Sequence, residues 1–201
     1  MRTQQAWKLS ALLLACAPAA GARAQSPVAP STHAAFDATV GNQVVQLRYT
    51  SDSPLGVGNN VSYGALFTES REFIASAALL FDTELVPLDR LRLQVGPELN
   101  AAWLEAGQKT DVFAAALGAS ARYELIRRIG LSAFGSAFYS PGVLTLGSAH
   151  NMYDFTAGAE ARLSGRLYLL GGYRWLKFTL VNQPDEKVAN ELFGGIRWQL
   201  Q

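Results

Sequence analysis

The stretch LRLQVGPELNAAW, residues 91–103, decides the fold. Leu91, Leu93, Val95, Leu99, Ala101 and Trp103 share one parity, and Arg92, Gln94, Glu98 and Asn100 share the other. Successive side chains of a strand point to opposite faces, so an extended chain separates these residues into an apolar and a polar face. A helix would mix them. The same separation recurs in FAAALGASARYE (113–124) and YDFTAGAEARL (153–163). It recurs again in the closing GGIRWQLQ (194–201), where Ile196, Trp198 and Leu200 oppose Arg197 and Gln199.

Working outward, alternation predicts strands over 34–40, 43–51, 60–68, 72–82, 91–103, 112–125, 129–139, 151–163, 166–180 and 188–200. Short turns separate several of them, at Gly41-Asn42, at Ile126 to Arg128 and at Ser164-Gly165. This is an all-β, antiparallel, up-and-down pattern of about ten strands. Because AAFDATV (34–40) is the shortest segment, an eight-stranded core is the alternative. The final strand needs a neighbour on each edge, and closing the sheet on itself supplies one.

The N-terminal region has its own pattern. Arg2 and Lys8 precede the apolar ALLLACAPAA (11–20), and GARAQS follows with small residues at Ala22 and Ala24. That is a secretory signal peptide, residues 1–24, with cleavage expected after Ala24. Lipidation at Cys16 is the alternative. The apolar run falls short of the about 20 residues that a spanning helix needs. Cleavage removes the only cysteine, so the mature chain has no disulfide and no thiolate metal site. Residues 25–33 read as a mobile leader and 34–201 as one domain. A formal net charge of +1 gives no footprint for nucleic acid.

The alternation leaves open which face meets the core. A soluble, lipocalin-like barrel would bury the aromatics and wet the charged face. Two features favour the reverse. The polar faces carry arginine and carboxylates with almost no lysine, and the aromatics gather at strand ends. With the last strand running toward the periplasm, Phe67, Phe73, Trp103, Phe113, Tyr139, Tyr153 and Trp175 fall at outer ends. Tyr49, Phe81, Tyr123 and Trp198 fall at inner ends. Two aromatic girdles around an aliphatic band are what a transmembrane β-barrel presents to lipid. The longer SPGVLTLGSAHN loop and the NQPDEK turn then lie outside, and the tight turns lie inside. TELVPLDR (83–90) is a long inner turn and an exception.

The stretches YELIRRIGLSAFGSAFYSPGVLTLGSAHNMYDFTAGAEARL, LYLLGGYRWLKF and LFGGIRWQLQ resemble the YfaZ family of outer-membrane proteins over roughly residues 36–201. FYSPGVLTLG and YLLGGYRWLKF are the most specific parts. The resemblance implies a small outer-membrane barrel with no assigned activity, and the residues themselves call for no cofactor. Gly195, Trp198 and Leu200 also resemble the C-terminal signal read by the barrel-assembly machinery. Gln201 follows the usual apolar terminus, and leucine stands where an aromatic is commoner.

Parity sends Arg48, Arg92, Arg122, Arg162, Arg174 and Arg197 into the lumen, against Glu98, Glu124, Asp154, Glu160 and Glu191. Guanidinium groups pair with carboxylates in fixed fork geometry, and small barrels are filled by their own side chains. The expectation is therefore a salt-bridged plug, with Phe134, Phe138 and Tyr168 beside it. A narrow solute or ion channel is the alternative. A lipid hydrolase would need His150, Ser148 and Asp154 to converge at the outer rim, and no G-x-S-x-G motif supports it. His33 lies in the leader without a partner, and GVGNN (56–60) lacks the lysine and helix of a phosphate loop. The expected protein is a monomer, not an enzyme, in contact with outer-membrane lipid and with the assembly machinery during biogenesis.

Overall fold

The computed structural model describes residues 34–53, 59–83, 90–105, 110–181 and 185–200. The signal peptide, the leader with His33, and Gln201 lie outside them. The strands are β1 (Ala34–Gly41), β2 (Val44–Asp52), β3 (Asn59–Thr68), β4 (Phe73–Asp82), β5 (Leu91–Leu104), β6 (Thr110–Ile126), β7 (Leu131–Ser140), β8 (Thr145–Gly147), β9 (Ala149–Ser164), β10 (Leu167–Leu180) and β11 (Glu186–Leu200). All pairings are antiparallel. The sheet runs β5-β4-β3-β2-β1-β11-β10-β9-β7-β6, and a β5–β6 ladder closes it. Ten strands thus form the wall, and the eight-stranded alternative falls away.

The eleventh strand segment, β8, is three residues long and belongs to the loop after β7. That loop turns through a 3-10 segment at Gly142–Leu144. β8 then lies against Val112–Ala114 of β6, where β7 has already ended. Thr145 holds the fold-back, its hydroxyl reaching the carbonyls of Pro141 (3.0 Å) and His150 (2.9 Å). β7 begins two residues later than alternation suggested, because Arg127–Ile129 form a 3-10 turn. Gly130 ends that turn at φ 61°, a left-handed conformation that favours glycine.

Closure follows from the register of β1. Ala34 pairs with Leu200 of β11 on one side and with Ser51 of β2 on the other. Ala34 and Leu200 therefore mark one end of the barrel, called lower here, and the 141–148 loop marks the upper end. The outward face is apolar and bare: Leu117 is 64% exposed and Leu192 73%, with Leu163, Leu169 and Ile196 also exposed. This arrangement is the opposite of the soluble lipocalin-like alternative.

The inward face divides by height. At the upper ends of the strands it is aliphatic and dry: Val44, Leu66, Ile74, Leu104, Val112, Met152, Leu176, Phe178, Leu180 and Val188 form one buried cluster. Phe178 and Met152 are 0% exposed. Burying side chains of this size contributes about 1.5–3 kcal/mol each. In the turn above, Glu72 is buried beneath the rim, and its amide donates to the Thr68 hydroxyl at 3.0 Å. Burial and nearby Glu186 raise its carboxyl above the usual range, against the lowering effect of Thr68. The lumen arginines lie below this cluster.

Candidate functional site: a guanidinium-lined vestibule

Below the aliphatic cluster lies a cavity of about 840 Å³. Its lining runs from Phe138 and Arg174 at the top to Ala34, Arg166, Gln199 and Leu200 at the lower end. Lumen-facing glycines make the room. A Cβ at Gly158 would lie 2.9 Å from the Phe134 ring, and one at Gly172 would lie 2.9 Å from the Phe193 ring. With glycine at both positions the two rings settle against the wall.

Three hydrogen-bonded groups brace the cavity. In the first, Arg197 donates from Nε and Nη2 to the two carboxylate oxygens of Asp37, both at 2.7 Å. Its Nη1 reaches Glu160, which also forms an ion pair with Arg122 Nη1 at 2.9 Å. The chain of contacts Asp37–Arg197–Glu160–Arg122 joins β1, β11, β9 and β6. Glu160 is 2% exposed and sits behind the two guanidinium groups. In the second, Arg174 Nη2 donates to Thr39 Oγ1 (3.0 Å) and to Gln46 Oε1, crossing from β10 to β1 and β2. Its guanidinium carbon stands 4.8 Å from the centre of the Phe193 ring. In the third, at the lower mouth, Asp82 accepts from Arg92 Nε and Nη2 at 3.0 Å and from Gln94 at 2.7 Å.

The other lumen candidates distribute as follows. Arg48 lines the cavity and interacts electrostatically with Glu98 and Asp154. Glu98 is buried and accepts from Asn100 at 2.8 Å. Arg162 does not pair with Glu160; it donates to the Tyr168 hydroxyl at 3.2 Å and lies over that ring. Glu191 accepts the Gln43 amide at 2.7 Å. Glu124 keeps the parity of Arg122 on β6, opposite Ser132, and stands near the lower rim, where Arg127 of the 3-10 turn reaches it at 3.0 Å. The salt-bridged plug is corrected. The group that fills the lumen is aliphatic and lies in the upper half, and the ion pairs line a cavity below it.

Sequence reasoning missed Asp37, Thr39, Gln46, Asp82 and Gln94 as members of these groups. Asp37 carried a usable signal, since Phe36, Ala38 and Val40 oppose it in AAFDATV. Among the described residues no hydrogen bond joins His150, Ser148 and Asp154. Asp154 faces the lumen, in the electrostatic range of Arg48 and Arg174. The His150 ring lies beside Gly142, where a Cβ would meet it at 2.7 Å. The backbone carbonyl of Ser148 accepts from Val181.

The aromatic side chains form contact chains at the upper end. Phe67 meets Phe73 (5.0 Å between centres) and Phe73 stacks on Trp103 (5.3 Å). Tyr139 meets Tyr153 (4.9 Å), which meets Trp175 (6.0 Å). Phe113 is exposed near them. At the lower end Tyr49, Phe81, Tyr123 and Trp198 are exposed. Phe36 completes a cross-strand row there, paired with Tyr49 on one side and Trp198 on the other.

A closed barrel with an aliphatic outer belt between aromatic rows is an outer-membrane β-barrel. The chain belongs to the YfaZ family: the model described as YfaZ precursor matches residues 12–199. It is an exported protein of the outer membrane. No curated protein matches the sequence. Among solved structures, a bacterial polysaccharide outer membrane secretin aligns with a TM-score of 0.48 at 12% identity, over 81% of this chain and 57% of its own. The outer membrane channel DcaP of Acinetobacter baumannii aligns with a TM-score of 0.41 at 8% identity, over 82% of this chain and 54% of its own. The chain spans little more than half the length of these two proteins.

Proposed function

We propose that this protein is a non-conducting outer-membrane barrel whose working surface is a blind vestibule open to the periplasm. One observation carries the reading: side chains with no solvent exposure, Phe178 and Met152 among them, fill the upper lumen above the charged cavity. Ions do not cross a dry aliphatic layer that gives them no replacement for water. The lower end faces the periplasm in this reading, and the protein works as a monomer surrounded by lipid. It binds rather than catalyses, since among the described residues no hydrogen bond joins His150 to the acid that would orient it. Planar-bilayer recording tests the closure. The wild type should show no steady current, and Met152→Ala with Phe178→Ala should give step currents as the layer opens. A large, steady wild-type conductance would instead make this a channel.

The aromatic rows hold the barrel at the two interfaces, and Gly195, Trp198 and Leu200 serve recognition by the assembly machinery. Trp198 is exposed on the lipid face, whereas Gln199 lines the vestibule. Trp198→Ala should therefore lower the yield of heat-modifiable folded protein in outer membranes more than Gln199→Ala. Equal yields would remove Trp198 from both roles.

A further inference from the structure

The vestibule is not electrically neutral where a ligand would touch it. Among the described residues its lining includes Arg48, Arg92, Arg122, Arg162, Arg166, Arg174 and Arg197, against Asp37, Asp52 and Glu98. Two further carboxylates pair with these guanidinium groups. Glu160 stands behind Arg122 and Arg197, and Asp82 braces Arg92. They hold the arginines in place while the cations face the cavity.

One of those cations has spare capacity. Arg174 is 3% exposed, and its Nη2 is occupied by Thr39 and Gln46. Its Nη1 has no hydrogen-bond partner among the described residues, although Asp154 and Glu191 lie in its electrostatic range. A buried guanidinium N–H without an acceptor is costly, and an anionic oxygen is the acceptor it bonds most strongly. Next to it the wall turns apolar: Phe193 lies under the guanidinium, and Phe134, Phe138 and Leu170 line the same cavity. The volume of about 840 Å³ far exceeds an inorganic ion and falls in the range of sites for small organic molecules.

We propose that the vestibule binds a soluble organic anion, its carboxylate or phosphate on Arg174 and Arg48 and its apolar body against Phe134, Phe138 and Phe193. This rests on the reading of a blind vestibule open to the periplasm. Arg162 and Arg166, which have no carboxylate partner among the described residues, flank the entrance and draw anions toward it. The upper aliphatic layer stops the ligand from passing through, so the site captures rather than conducts.

The test is calorimetric titration of the purified full-length mature protein in phosphatidylcholine nanodiscs. The probes are phenyl phosphate, inorganic phosphate and benzyltrimethylammonium. Phenyl phosphate should bind more tightly than inorganic phosphate, at least tenfold more tightly than the cation, and less tightly as salt rises. Arg48→Gln should weaken it roughly ten- to a hundredfold, the range for one hydrogen bond to a charged group. Arg174→Gln should do the same, provided that it still folds. Ser136→Trp, which places an indole in the cavity and leaves every arginine in place, should weaken binding independently. Equal affinity for anion and cation would overturn the proposal, as would unchanged binding in Arg48→Gln and Ser136→Trp. Repeating the titration with phosphatidylglycerol in the nanodiscs separates the two sources of the anion: unchanged affinity supports a soluble ligand, and competition by the lipid overturns it. Bilayer currents from the same preparation report separately on the closed barrel, so a conducting wild type would sink that reading without deciding the binding result.

Discussion

Replacing Leu117 by arginine should abolish assembly into the outer membrane, whereas Ser120→Arg should leave heat-modifiable folded protein in the membrane fraction. The two positions lie three residues apart on β6 but on opposite faces. Leu117 is 64% exposed on the outer belt, and Ser120 lines the vestibule. A guanidinium on the lipid face near mid-depth costs about 2–4 kcal/mol, because no water or partner replaces its hydration there. At position 120 the same group would enter a water-accessible cavity already lined with arginine, at the cost of added like-charge repulsion. Membrane fractionation with gel-shift assay checks both variants. Equal behaviour would reverse the assignment of inner and outer faces.

Glu160→Ala should lower the temperature of the heat-modifiable transition by several degrees. Glu160 is the shared ion-pair partner of Arg122 and Arg197, and it is almost wholly buried. Removing one partner of a buried pair typically costs about 3–5 kcal/mol, since the remaining charge loses its compensation. Two features place the loss near the lower end of that range. Arg122 keeps access to the vestibule, and Arg197 keeps its two bonds to Asp37. Glu124→Ala is the contrast, because its pair with Arg127 is exposed on the rim and contributes at most about 1 kcal/mol. Thermal gel-shift series of the three proteins provide the comparison. If Glu160→Ala melts with the wild type, water already solvates this group, and the braced vestibule gives way to an open pore.

The sequence by itself determined the wall of this protein. Period-two alternation in 91–103, 113–124 and 153–163 cannot be satisfied by a helix, and it divides each strand into an apolar and a polar parity. The aromatics at strand ends could be ordered by alternating strand direction alone. Tertiary structure decided what the inward parity does. Leu104, Phe178 and Arg174 all point inward, yet only the height set by register and closure puts the first two in a dry layer and the third in a wet cavity. Closure also chose the ion partners: Asp37 and Arg197 are 160 residues apart and meet only because β1 pairs with β11. Glu160 reaches Arg122 and Arg197 across the lumen, while Arg162, two residues along the same strand, settles on Tyr168. Alternation is local, so a single strand shows it; pairing across a lumen depends on the curvature and stagger of ten strands at once, which no one strand contains.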